Sequence, residues 1–377
     1  MRTSSEVHQA KRPEAKRLER RNVRLRRCSL NRCVLLVLLV FVLCGLFGLF
    51  GASRARADFS SNGEVAGLNA QFMNVNGVRT RYYEAGTGEP MVLVHGGDLS
   101  GHSSANIWSK DIPLFAKQFH VFAPDALGAG MTDNPADDND LNIQGQVDHL
   151  YDFIRALKVG MVHLVGESRG GACVLFLALQ HPEVVKDIVI VDSDTAAPGS
   201  SAAGTEASNK CPKGPDSEAP DSETWKCDLL AASSLPDQAF DDEYFMEGKY
   251  MSLLPKSQET AAKLKAGAGG DLATADGFNR WKAEWYARIA KESVLQVPVL
   301  IYWGKNDPLS PPANGQALYD LLAKNNPRVR IITLDKAGHF PFREFPEKFV
   351  DDVTSFIQLA KSQTDADNPQ VSSNPSN

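Results

Sequence analysis

The 377-residue chain has little of what marks several classes of protein. It has no His, Cys and Asp cluster at the spacing of metal ligands and no phosphate-binding loop, so neither a metal ion nor an organic cofactor is implied. It also shows no internal repeat and no basic stripe with interleaved aromatic residues. These absences make nucleic acid a poor partner and leave a small molecule as the expected ligand.

Acidic residues dominate most of the chain, although the net charge of −6 conceals this. Residues 1–57 hold 13 basic and 3 acidic side chains, a charge of +10. The remainder holds 27 basic and 43 acidic side chains, a charge of −16. A strongly acidic body repels the phosphate backbone of nucleic acids, which agrees with the missing basic stripe.

The N-terminal segment has the pattern of an export signal. Residues 33–50 form an apolar stretch behind a basic flank, and Ala55 and Ala57 make a small-x-small cleavage site before Asp58. An uncleaved membrane anchor is the alternative, because about 18 apolar residues are near the minimum that spans a bilayer. Both interpretations predict a domain outside the cytoplasm, either periplasmic or secreted, or anchored to the membrane through this segment alone.

The cysteines beyond this segment are Cys173, Cys211 and Cys227. Cys173 lies in an apolar run and is typical of a buried core thiol. Cys211 and Cys227 bracket a polar loop, and we expect them to form a disulfide that restricts the loop in an oxidising compartment.

The pattern of apolar residues predicts an α/β fold with a mostly parallel central sheet and helices on both faces. Two short β-rich runs surround Asn76 and Gly77, a hairpin signal. Compact apolar runs then alternate with helix-length segments, and such continuous runs are typical of strands buried on both faces. The runs are 91–94, 120–123, 162–165, 187–191, 297–303 and 329–334.

The strand and helix alternation stops for about a hundred residues, which indicates an insertion. We interpret it as a lid over the carboxyl edge of the sheet, where ligands bind in such folds. Its later part, 237–291, is helical in pattern and supplies aromatic surface from Trp281, Trp285 and Tyr286. The predicted organisation is a flexible leader (58–69), an α/β core (70–195 and 292–361), the lid (196–291, with a low-complexity loop at 196–223) and a disordered tail (362–377).

The strongest chemical signal is Gly-Glu-Ser-Arg-Gly-Gly at 166–171, between an apolar strand and an apolar helix. A serine on a sharp strand-to-helix turn is exposed above the sheet, and glycines two residues before and after it leave room for the turn. The helix behind Ser168 directs backbone N–H groups toward charge that develops on an attacked carbonyl oxygen. Ser168 is therefore the predicted nucleophile.

A serine nucleophile needs a base and an acid that orients the base. His339 follows the last apolar strand and has the place that the order Ser, acid, His requires. Asp307 follows the strand 299–303 and is the predicted acid, with Asp192 and Asp194 after the preceding strand as alternatives.

An oxyanion hole completes the set. His95, Gly96 and Gly97 follow the strand 91–94, and a glycine turn there can present a backbone N–H to the oxyanion. We predict that the N–H of Gly97 pairs with that of Arg169.

With these residues in place, the chain from 71 to 359 resembles the α/β-hydrolase superfamily. The loop 124–130 is similar to the family's Asp-x-x-Gly-x-Gly loop. Within the superfamily the chain resembles the meta-cleavage-product hydrolases, which cut carbon–carbon bonds in ring-fission dienoates. That resemblance implies a substrate-site residue at Asn106, and further substrate contacts at Lys249 and Phe340.

The chain departs from that subgroup at several positions. Residues 98–100 replace its Gly-Pro-Gly, and Glu167 stands where it usually has Asn. Phe340 replaces a Trp, and Lys249 stands where a lid arginine grips the substrate carboxylate. A lysine keeps the charge but loses the bidentate fork.

The leading hypothesis is hydrolysis of a carboxylic ester or lactone of a small, apolar substrate through an acyl-enzyme. Carbon–carbon bond hydrolysis by the same residues is the alternative. A hypothesis of another class is a non-catalytic ligand-binding protein on a hydrolase scaffold.

Overall fold

The computed structural model describes residues 61–99, 101–199, 211 and 222–367. The predicted export segment lies outside these residues. No helix in the described part of the chain is both long enough and apolar enough to cross a membrane.

The described strands form one eight-stranded sheet in the order β1-β2-β4-β3-β5-β6-β7-β8. β1 and β2 make the predicted hairpin, in which Val75 pairs with Val78, and β2 joins β4 antiparallel. All other neighbours are parallel. The strands are β1 (Ala70–Val75), β2 (Val78–Ala85), β3 (Glu89–Val94), β4 (Phe119–Pro124), β5 (Val162–Glu167), β6 (Val185–Val191), β7 (Val299–Gly304) and β8 (Val329–Leu334).

Helices cover both faces of the sheet because successive strand residues point in opposite directions. In β3, Val92 packs in a core cluster with helices α2, α3 and α9, whereas Leu93 packs in a second cluster with α1 and α11. These core helices are α1 (Ile112–Phe115), α2 (Ile143–Leu157), α3 (Arg169–Gln180), α9 (Pro312–Leu322), α10 (Pro341–Glu344) and α11 (Pro346–Asp367). The predicted fold class is confirmed.

The insertion between β6 and β7 is helical from residue 222 onward. Its helices are α4 (Ser222–Ala232), α5 (Pro236–Ala239), α6 (Asp242–Ser252), α7 (Pro255–Lys265) and α8 (Ala275–Lys291). Lys256 of α7 attaches this layer to the core, since its Nζ donates to the carbonyls of Gly128, Ala129 and Thr132.

Two predicted flexible segments have defined structure in part. In the leader, the N–H groups of Asn62 and Gly63 donate to Glu247 Oε2 of α6, and the Gly63 carbonyl accepts from the buried Arg81. In the structure, the described part of the predicted leader, residues 61–69, is therefore held by hydrogen bonds and is not free. At the other end, α11 continues to Asp367, six residues beyond the predicted limit of the core.

Candidate active site

Ser168 occupies a strained turn between β5 and α3. Its backbone has φ 47° and ψ −120°, a conformation that non-glycine residues rarely adopt. The turn is held by its own backbone, because the Ser168 N–H donates to the Val191 carbonyl at 2.8 Å and the Ser168 carbonyl accepts from the Gly171 N–H at 3.0 Å. Glycine is required at 170, where a Cβ would lie 2.3 Å from the Val94 carbonyl oxygen. This sharp turn exposes the Ser168 hydroxyl above the carboxyl edge of the sheet.

His339 and Asp307 meet at the same edge, from the loops that follow β8 and β7. His339 Nδ1 lies 2.7 Å from Asp307 Oδ2, and both side chains are buried. Asp307 Oδ1 accepts from the N–H groups of Leu309 and Ser310 at 2.8 and 2.9 Å, which fixes the carboxylate. A carboxylate beside Nδ1 favours a proton there and leaves the lone pair of Nε2 for a serine hydroxyl.

The electrostatics of His339 suit a general base. Burial by itself lowers the pKa of His339, but the charge of Asp307 and its hydrogen bond outweigh burial, so that this pKa is raised above its usual value. The imidazole is therefore a stronger proton acceptor than an isolated histidine in the same buried place.

Asp192, the first alternative acid, lies beside the pair without replacing Asp307. Its Oδ1 accepts from the Gly304 N–H at 2.8 Å, whereas Asp307 holds the imidazole. Burial and the adjacent charge of Asp307 raise the pKa of Asp192 well above its usual range, which favours the protonated form of this carboxyl group. The second alternative, Asp194, accepts a hydrogen bond from Asn314.

Asp192, Asp307 and His339 also have ligand atoms within 4.8 Å of one another. Spacing alone would suit a cation, but their chemistry does not. The Asp307 carboxylate already accepts from two N–H groups and contacts the imidazole, and burial with the adjacent Asp307 charge raises the pKa of Asp192, which disfavours the charge that a cation would need. The cluster is better described as a histidine oriented by Asp307, with Asp192 beside that acid.

The loop after β3 holds the predicted oxyanion donor in a braced peptide. His95 Nε2 accepts from the Ala126 N–H at 2.9 Å, so Nδ1 carries the proton and donates to the Gly96 carbonyl at 2.8 Å. Because a trans peptide directs its C=O and N–H to opposite sides, the Gly97 N–H points away from His95. Gly96 must lack a side chain, since a Cβ there would lie 2.8 Å from the Cβ of Ser168.

A cavity of about 160 Å³ connects these parts. Ser168, His339, Gly97 and Glu167 line it, and the lid contributes apolar and aromatic side chains to the lining. The apolar and aromatic lining residues are Ile107, Trp225, Leu229, Tyr244, Leu309 and Phe340. An apolar group of a substrate would therefore lie against the lid while its carbonyl faces Ser168.

The structure brings some of the predicted substrate residues to the cavity and not others. Phe340 lines it. Asn106 is buried behind it, where its Oδ1 accepts from Tyr83 Oη at 2.8 Å and from Arg81 at 2.9 Å. Lys249 lies exposed on α6 and does not line the cavity.

Arg169, the second predicted oxyanion residue, begins α3. Its side-chain Nε donates to Gln146 Oε1 at 2.7 Å.

The aromatic contribution of the lid comes from residues that the sequence did not single out. Trp281 packs on Phe176 in the core cluster that contains Val92, with ring centroids 4.3 Å apart, and does not line the cavity. Trp225 and Leu229 of α4 line it instead. Their spacing of four residues places them on one helix face and was the available signal.

A disulfide between Cys211 and Cys227 joins the loop before α4 to that helix, with Cα atoms 5.7 Å apart. Cys227 lies between Trp225 and Leu229 in sequence. The crosslink therefore restricts the helix that forms the apolar wall. Cys173 is free and buried.

Comparison with known proteins gives a consistent result. A family model described as alpha/beta hydrolase fold matches residues 89–346, more than half of the chain. The chain is 41% identical over 124 residues to a 2-hydroxy-6-oxo-6-(2'-aminophenyl)hexa-2,4-dienoic acid hydrolase of Metapseudomonas resinovorans. It is 38% identical over 117 residues to a 2-hydroxymuconate semialdehyde hydrolase of Pseudomonas sp. strain CF600.

These two matches cover 33% and 31% of this chain, and 42% and 41% of the relatives. The chain therefore aligns with less than half of the length of either relative. A solved structure, the 2-hydroxy-6-oxo-6-phenylhexa-2,4-dienoate hydrolase of Rhodococcus sp. strain RHA1, has a TM-score of 0.63. At 18% identity over 77% of this chain and 99% of that one, this likeness concerns the fold alone.

Proposed function

Because this chain belongs to the alpha/beta hydrolase fold family and is a serine hydrolase of that fold, we propose that it hydrolyses a carbon–carbon bond next to a ketone. The predicted superfamily is confirmed, and the similarity to meta-cleavage-product hydrolases favours the alternative hypothesis over the ester hydrolysis that led the sequence analysis. One observation carries the proposal: Ser168 and His339 line the same cavity, and the His339 imidazole is hydrogen-bonded to the Asp307 carboxylate.

The proposed reaction begins when His339 Nε2 takes the proton of Ser168 and the hydroxyl oxygen adds to the ketone carbon. The N–H groups of Gly97 and Arg169 stabilise the resulting oxyanion. Before the carbon–carbon bond breaks, the enol of the dienoate converts to its ketone tautomer, in which the carbon next to the reacting ketone gains a proton. The intermediate then collapses, the carbon–carbon bond breaks, and its electron pair is delocalised into the conjugated ketone as a dienolate, which takes the proton from His339. Water, activated by His339, hydrolyses the acyl-enzyme and restores Ser168.

The substrate class follows from the walls of the cavity. An aryl or alkyl ketone would lie with its apolar group against Trp225, Leu229 and Phe340. We propose a ring-fission dienoate with such a group as the substrate.

Ester hydrolysis stays a second candidate on one specific observation. The described lining residues include no Lys or Arg, while a dienoate carries a carboxylate. An uncharged aryl ester would not need a cation in the cavity.

A substrate panel separates the two. We expect kcat/KM for 2-hydroxy-6-oxo-6-phenylhexa-2,4-dienoate to exceed that for 4-nitrophenyl butyrate, and Ser168→Ala to abolish both activities. Ester turnover above dienoate turnover would reverse the ranking. Binding of the dienoate with neither activity would instead support the non-catalytic hypothesis.

Export to a compartment outside the cytoplasm is also a proposal, and the disulfide supports it because such bonds persist in oxidising compartments. Fractionation of cells that express the full chain tests it. Protein confined to the cytosolic fraction would contradict it.

A further inference from the structure

Glu167 is a buried acid beside the nucleophile that the proposed reaction does not use. It is the last residue of β5 and directly precedes Ser168. Only 4% of it is exposed, and it lines the cavity together with Ser168 and His339. A carboxyl group in such a place is costly, so its retention calls for a physical reason.

The two oxygens of Glu167 have different surroundings. Oε1 accepts from the Gly96 N–H at 2.9 Å and so holds the loop of the oxyanion hole. Oε2 is buried and has no hydrogen-bond partner among the described residues. Holding Gly96 requires only one acceptor, and a glutamine would serve. The second oxygen is therefore unexplained by the loop.

The charged groups around Glu167 come from several loops. His339 and Asp307 lie within electrostatic range from the loops after β8 and β7, with Asp192 beside them. Tyr244 faces it from the lid, and burial raises the pKa of that hydroxyl, so Tyr244 is neutral. The one group in this set that becomes positive during the proposed reaction is the imidazole.

The pKa shifts of Glu167 and His339 both include the charge of the other group. Burial raises the pKa of Glu167, although the charge of His339 and the Gly96 N–H counter part of this effect and Asp307 adds to it. Burial lowers the pKa of His339, but Asp307 first, and then Glu167 and Asp194, raise it. Each group therefore favours the charged form of the other.

We propose that Glu167 is a positioning residue for the catalytic base: its ionised carboxyl group, which lines the same cavity as His339 and directly precedes the nucleophile, stabilises the imidazolium of His339. When the Ser168 proton moves to Nε2, both the Asp307 carboxylate and the Glu167 carboxylate then favour the positive charge. The other oxygen keeps the Gly96 peptide in place. This role rests on the proposed serine hydrolysis but not on the identity of its substrate.

The test uses a fluorophosphonate, which labels an activated serine and needs no natural substrate. The labelling rate at Ser168 is measured against pH for the wild type, Glu167→Gln and Glu167→Asp. The glutamine keeps the acceptor for Gly96 and removes the charge. The aspartate keeps the charge and is too short for the Gly96 contact. Glu292→Gln, at an exposed position after α8, is the matched control.

If Glu167 acts through its charge, the acid limb of the Glu167→Gln profile moves to lower pH by about one unit, because His339 loses a partner that favours its protonated form. The maximal labelling rate falls about tenfold. Glu167→Asp keeps the wild-type acid limb and loses thermal stability. Glu292→Gln changes neither.

An unshifted limb in Glu167→Gln would overturn the inference, and so would a limb shifted equally in Glu167→Asp, which would indicate geometry rather than charge. If the glutamine variant does not fold, Glu167→Ala takes its place, because alanine and aspartate both lose the Gly96 contact and differ in charge. An acid limb that shifts in the alanine variant but not in Glu167→Asp supports the inference, and an unshifted alanine limb overturns it. A wild type that is not labelled at all would instead defeat the proposed function, and the inference with it.

Discussion

The wall of the cavity that carries Ser168 and the wall that carries Leu229 are built in different ways. Ser168 and Asp307 are held by backbone N–H and C=O groups at the ends of buried strands. The lid is held by side chains that reach far along the chain, such as Glu247 to Gly63 and Lys256 to Gly128. The difference indicates that the chemistry is set by the sheet, and that substrate choice depends on how the lid is attached.

The largest expected effect is on the sheet side. Ser168→Ala should lower kcat/KM by about 10⁶-fold, because the residual rate then comes only from the oxyanion hole and binding. Thermal denaturation should show an intact fold. Ser362→Ala, an exposed serine on α11, is the control and should retain full activity. Substantial turnover by Ser168→Ala would mean that another group attacks the substrate.

The next effect separates the two buried acids. Asp307→Asn should lower kcat about 10⁴-fold, because the amide cannot hold the imidazole in the reactive tautomer. Asp192→Asn should cost less than about tenfold, since an amide oxygen still accepts from Gly304 and the raised pKa of Asp192 already favours its uncharged form. Steady-state kinetics of both variants decide between them. A larger loss in Asp192→Asn would assign the acid to that residue.

On the lid side, removal of the disulfide should act on stability more than on chemistry. Replacing Cys211 and Cys227 by serine should lower the free energy of unfolding by about 3 kcal/mol, the value for a closed loop of this size. Urea denaturation measures the change. A reducing agent should destabilise the wild type in the same way and leave the double variant unaffected. Equal sensitivity of both would contradict a structural bridge.

The smallest effect concerns substrate fit. Leu229→Ala should raise KM about tenfold for a substrate with an aryl ketone, because part of the apolar wall is lost, and should change kcat little. Lys249→Ala, on the same lid but exposed, should change KM less than about twofold. A strong KM effect at Lys249 would show that the lid closes differently when substrate is bound.

The same contrast explains how far the sequence could be interpreted. Continuous apolar runs predicted the inner strands to within a few residues, because such strands are buried on both faces. β3 starts two residues earlier than its apolar run, at Glu89, since a backbone ladder does not require apolar side chains. The elbow, His339 and Asp307 could be located because carboxyl ends of parallel strands meet at one edge.

Lid positions could not be predicted in this way. The outward direction of Lys249 depends on the phase of α6, in which the neighbouring Gly248 packs against Trp225. Asn106 is turned from the cavity by Arg81 and Tyr83, and that network also includes the carbonyl of Gly63. These contacts join segments far apart in sequence, and local patterns carry no signal for them.

The most direct test of the triad is the location of a covalent adduct. After treatment of the purified protein with a fluorophosphonate, peptide mass spectrometry should find one adduct per chain, on the peptide that contains Ser168, and His339→Ala should prevent it. An adduct on a different residue, or an unmodified Ser168 in folded protein, would contradict the meeting of these three side chains at one edge of the sheet.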